Sequence, residues 1–152
     1  MSRLRTAGFA LLVLLASTLA FAQASSESGP APEDEVKTDL DYAQVLHVVA
    51  TGTSEGTWRF DVTVEHNDEG WDHYADLWHV VHPETLEVYG ERELLHPHDN
   101  EQPFTRSESG VRIPDGRTTV LVRAKCNVHG FGGRTVLVDL TVDEGERFEV
   151  RR

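Results

Sequence analysis

Residues 57–66, "TWRFDVTVEH", alternate without a break: Trp58, Phe60, Val62, Val64 and His66 share one face, and Thr57, Arg59, Asp61, Thr63 and Glu65 share the other. A period of two is the signature of a strand with one face buried, and no helix can satisfy it. The same pattern recurs in "TTVLVRAKC" (118–126), where Val120, Val122, Ala124 and Cys126 are in phase. In "RTVLVDLTV" (134–142) it aligns Val136, Val138, Leu140 and Val142. Shorter β-rich runs, "QVLHVVAT", "HYADLWHVV", "LEVYGERELLH" and "FTRSESGVRI", are divided by turns such as "GTSEG" and "PDG". About seven short strands with frequent turns predict an all-β chain, an antiparallel β-sandwich of immunoglobulin-like type.

Upstream of the strands the composition changes twice. Arg3 and Arg5 precede the uncharged run "AGFALLVLLASTLAFA", which ends in the small-x-small triplet Ala20-Phe21-Ala22. That order predicts a signal peptide over 1–22 and an exported, periplasmic or secreted protein. No cysteine follows the run to carry a lipid, and no later stretch approaches the length of a membrane span. Residues 23–38, "QASSESGPAPEDEVKT", are rich in Ser, Pro and Glu and read as a disordered acidic leader. A single sandwich domain is expected over 39–152. Removing the first 22 of 152 residues leaves 130 and moves the formal charge from −12 to −14. Such acidity argues against nucleic acid as a partner. The pattern sets no oligomeric state.

The chain has one cysteine, so it forms no internal disulfide. Cys126 ends the inward phase of its strand, His66 ends that of another, and His129 follows three residues after Cys126. Eight histidines and one thiol form a ligand set suited to iron, copper or zinc rather than calcium or magnesium. His96-Pro97-His98 puts two more imidazoles on one side of an extended segment, where a polar loop is the plainer expectation. No nucleophile elbow, zincin helix or phosphate loop is present.

"CNVHG" (126–130), at the end of a strand of the type "VLVRAKC", resembles the Cys-Asn-x-His-Gly motif of superoxide reductases, the desulfoferrodoxin and neelaredoxin family. "HNDEGWDHYADLW" (66–78) is similar to that family's His/His-Tyr segment, with Asn67 in place of a proline and one more residue between the histidines. The resemblance, over roughly residues 60–130, implies a mononuclear iron that reduces superoxide to hydrogen peroxide. Cys126 would be its axial thiolate, and His66, His73 and His129 its equatorial imidazoles. His47 is the upstream candidate for a fourth histidine. The implied partners are superoxide as a small-molecule substrate, or an electron-transfer protein. Lys125 and Arg134 are the cations expected to draw in the anion.

Two further resemblances stand beside this one. "CNVHGFGGRTVLV" is similar to the Cys-x-x-His loop of cupredoxins, which implies copper. With Met1 the only methionine, a carbonyl or Gln would have to be its axial ligand. "GWDHYADLW" with the segment from His96 to Pro114 resembles small exported bacterial proteins of unknown function, which implies a non-catalytic binding domain without a metal. The export reading predicts cleavage between Ala22 and Gln23. Mass spectrometry of the secreted protein should give an N-terminal Gln23, and a mature form still carrying Met1 would contradict it.

Overall fold

The computed structural model describes residues 36–152. The expected signal peptide, and the leader as far as residue 35, lie outside the described residues. Within them every regular element is a strand: β1 Gln44–Gly52, β2 Trp58–Glu65, β3 Ala75–Val81, β4 Val88–Glu93, β5 Phe104–Val111, β6 Thr119–Cys126, β7 Gly130–Phe131, β8 Val136–Asp139, β9 Glu144–Gly145 and β10 Phe148–Arg151. They form two five-stranded sheets. One has the order β5-β2-β1-β10-β9. In the other, β4-β3-β6 is continued by β7 at the Cys126 end of β6 and by β8 at its far end.

The fold is an all-β sandwich, and its two faces follow the sequence alternation. Phe60, Val62 and Val64 of β2 are wholly buried, as are Val120 and Val122 of β6 and Val138 of β8. They pack with Val45, Val48 and Ala50 of β1 and with Trp78 and Val80 of β3 into one core. The intervening residues Arg59, Asp61 and Thr63 face outward and pair across strands with Ser107 and Thr105 of β5. Trp58 is only half-buried, packed against the rim of the core. Val142 departs from the expected phase and is 42% exposed. The chain turns at Asp139, whose carboxylate accepts from the Thr141 amide and hydroxyl, so β8 ends before Val142 could pack inward.

Antiparallel pairing prevails, with one parallel pair: β10 lies beside β1 in the register Val48↔Phe148 to Thr51↔Arg151. "RFEVRR" has too few apolar residues to signal a strand, and its place in the sheet comes from that ladder.

The segment leading into β1 is pinned from both sides. Gln44 is buried, and its amide nitrogen contacts the carbonyls of Lys37, Asp39 and Tyr42 at 2.8–3.0 Å. Its amide oxygen accepts from Arg134 N–H, and Lys37 N–H donates to Gly132 O. This folds residues 37–43 back against the loop that follows β7. The approach is closest at Gly133, where an added Cβ would run into the Ala43 carbonyl. Gly133→Ala should therefore cost about 1–3 kcal/mol through forced backbone shifts. A denaturant midpoint equal to that of the unaltered protein would show the approach to be looser than described.

Candidate metal centre

His66 is the first residue after β2 and keeps the inward phase of that strand, with 1% of its surface exposed. Cys126 closes the inward phase of β6 in the opposite sheet and is equally buried. The two sheets thus deliver an imidazole and a thiol to the same end of the sandwich. Between His66 and β3 the chain makes a compact loop. Asp68 N–H donates to His66 O, Glu69 N–H donates to His73 O, and Gly70 takes the left-handed φ of 73° that the turn requires. The loop swings His73 back over His66, with ring centroids 4.7 Å apart and nearly perpendicular planes. One donor atom each from His66, His73 and Cys126 lies within 4.8 Å of the other two.

His129 stands beside these three, on the turn between β6 and β7 closed by Gly130 at φ 70°, and is not among the donors that lie within 4.8 Å of one another. Its backbone N–H donates to Cys126 Sγ at 3.2 Å, and its Nδ1 is 3.7 Å from that sulfur. Its ring lies 4.9 Å from that of His73 and 5.2 Å from that of Tyr42. His129 is exposed, so it forms the solvent edge of the group.

Three of these side chains aim at one backbone atom. The Asp41 carbonyl oxygen is 2.9 Å from His129 Nδ1, 3.2 Å from His66 Nε2 and 3.4 Å from Cys126 Sγ. A carbonyl only accepts and has two lone pairs, so at most two of these three groups can be satisfied by it. His73 Nε2, meanwhile, is buried with no partner. Buried polar atoms are nearly always satisfied, and a cation bound by sulfur and imidazole nitrogens would relieve both conflicts. Ligand distances of about 2.0–2.3 Å put two donors on one ion at most about 4.6 Å apart. Binding then needs the three donors, now spread over as much as 4.8 Å, to draw in around the ion. The donor set contains thiol and imidazoles but no carboxylate, which fits iron, copper or zinc.

Around this group lies a polar shell. The Asp68 side chain is fully buried, and Oδ1 accepts from His66 Nδ1 at 2.7 Å and from Ala75 N–H at 3.0 Å. Oδ2 accepts from His98 N–H at 2.6 Å. Burial alone would raise the Asp68 carboxyl. The hydrogen bond from His66 and the amides of His98 and Ala75 outweigh it and hold the group below its ordinary value. Asn127 clamps the Cys-x-x-His turn to the His73 loop. Its Oδ1 accepts from Tyr74 N–H, its Nδ2 donates to the carbonyls of Trp71 and Asp72, and its own N–H donates to Tyr74 O.

The other candidates lie elsewhere. His47 is exposed on β1, opposite Thr63, with Glu149 of β10 as an electrostatic neighbour, and it is not among the converging donors. His96 and His98 have ring centroids 4.5 Å apart, but His96 is exposed while His98 is buried and stacked on Phe104 at 3.8 Å. Burial, with Arg106 and His96 adding to it, pushes His98 below the ordinary imidazole value. Lys125 points outward from β6, opposite in phase to Cys126, and is ion-paired with Asp76 at 2.5 Å. It is therefore not the free cation beside the centre that its place in the sequence suggested.

The sequence reading missed Asp41, Asp68 and Asn127. Asp41 acts through a main-chain atom and leaves no side-chain signal. Asp68 and Asn127 each stand one or two residues from a candidate ligand, which was the available clue.

No family model matches the chain, and no solved structure matches it. A protein of Halomicrobium mukohataei described as "Putative lipoprotein" is 43% identical over 111 residues, covering 70% of this chain and 53% of that protein. The chain spans about half the length of this curated relative.

Proposed function

We propose that this is an exported mononuclear metal-binding protein whose ion is held by Cys126, His66, His73 and His129, and that its iron form reduces superoxide to hydrogen peroxide. The observation that carries the metal reading is the meeting of Cys126 with His66 and His73 within 4.8 Å. The "CNVHG" and "HNDEGWDHY" resemblance carries the choice of iron and of superoxide. The basic-apolar-small N-terminus supports export, and so does the description of the relative as a lipoprotein. The single cysteine is 1% exposed inside the sandwich, where it serves the centre rather than a lipid.

Bound iron would supply the one-electron chemistry, tuned by a thiolate ligand. The chain's own residues do the rest. The His129 amide, 3.2 Å from Sγ, stabilises the thiolate. The buried His66 and Cys126 keep water from the inner side. The exposed His129 leaves the approach of a small anion on the outer side. With Lys125 paired to Asp76, Arg134 is the flanking cation left to attract that anion.

Copper is a second reading, favoured by the Asp41 carbonyl. A copper site without methionine would need an oxygen beside its thiolate and imidazoles, and this oxygen lies 2.9–3.4 Å from three of the donor groups. Metal analysis and a visible spectrum of the exported protein separate the two. Stoichiometric iron with a ferric-thiolate band is expected. Cys126→Ser should remove the band while leaving the fold intact, and His129→Ala should weaken metal binding without exposing the core. A Cys126→Ser protein that keeps both its metal and its colour would return Cys126 to a small buried hydrophobe.

A further inference from the structure

We propose that Asp68 is the positioning residue of the centre: its carboxylate fixes the proton of His66 on Nδ1, so that His66 offers Nε2, and only Nε2, to the metal. The inference rests on the metal centre proposed above and adds to it an atom-level assignment.

Asp68 has a fully buried side chain and every short contact it makes is to an N–H donor. A carboxylate in this setting can only accept, so the hydrogen in the 2.7 Å contact belongs to His66 Nδ1. The opposite ring nitrogen, Nε2, is then the one turned to Asp41 O, the point on which Cys126 and His129 also converge. The amides of Ala75 and His98 hold Asp68 itself, from the start of β3 and from the segment before β5. The carboxylate is thus fixed by two elements that carry no ligand. It passes that fixity to His66, whose own backbone N–H is tied to Gln102 Oε1. Ligating histidines commonly have their other nitrogen held in this way, and losing the holder costs about 10–100-fold in metal affinity.

His98 Nδ1 also approaches Asp68 Oδ2, at 3.8 Å, but both its ring nitrogens lack hydrogen-bond partners. The His98 contribution is therefore its backbone amide, and its side chain is a stacking partner for Phe104.

The test has one arm without metal and one with it. In the metal-free protein, nitrogen-15 NMR of the His66 ring should show the proton on Nδ1 and none on Nε2, and a bare Nδ1 or a proton on Nε2 would overturn the assignment. In the second arm Co2+ is titrated into the wild-type protein and into Asp68→Asn, following the thiolate-to-cobalt absorption. Asp68→Asn keeps the shape but turns an N–H toward the His98 amide or toward His66. The expected result is a loss of about 10–100-fold in Co2+ affinity with the amide spectrum of the core unchanged. An unchanged affinity in folded Asp68→Asn would overturn the proposal. If Asp68→Asn does not fold, the ring state of wild-type His66 still decides. Failure of the wild-type protein to take up Co2+ would overturn the centre and the role of Asp68 with it. That failure is recognisable because the ring state of His66 is read without metal.

Discussion

Two strands in facing sheets end on the same inward phase, and the site depends on that coincidence. β2 buries Phe60, Val62 and Val64 and then His66, while β6 buries Val120, Val122 and Ala124 and then Cys126. A shift of one residue in either strand would send its ligand to the solvent face. Core packing and ligand placement are therefore a single constraint. The apolar residues that fix the register of each strand also fix where its last side chain points.

That arrangement puts polar atoms where a sandwich normally has none, and the surroundings show how they are accommodated. An unpartnered polar group in an apolar interior costs about 1–3 kcal/mol. The sandwich answers with Asp68, fully buried and accepting three N–H groups, with Asn127 bridging two loops, and with Gln44 holding the segment that brings in the Asp41 carbonyl. Within the donor cluster the imbalance is an orphaned His73 Nε2 and three side-chain atoms crowded on one carbonyl, and beside it His98 Nδ1 and Nε2 and Gln102 Nε2 are also buried without partners.

The strands were legible because each has one wet face and one dry face. β10 was not, since "FEVR" buries only Val150 well and takes its place from a parallel ladder with β1. Val142 was misread because alternation continues in the letters after the backbone has turned at Asp139. In the candidate site, His66, His73 and Cys126, whose donors converge, and the neighbouring His129 could be named from strand phase and from a resemblance, both of which live in side chains. The Asp41 carbonyl could not, because any residue supplies one and only the fold decides where it points. Lys125 failed for a related reason: adjacency to Cys126 along a strand means opposite faces of the sheet.

The most direct test of a thiolate–imidazole centre is X-ray absorption at the K-edge of the metal that the protein carries or takes up. One sulfur at about 2.3 Å with imidazole nitrogens at about 2.0–2.1 Å in its first shell is the predicted result. A shell of oxygen and nitrogen with no sulfur, in a protein whose Cys126 is reduced and intact, would contradict it.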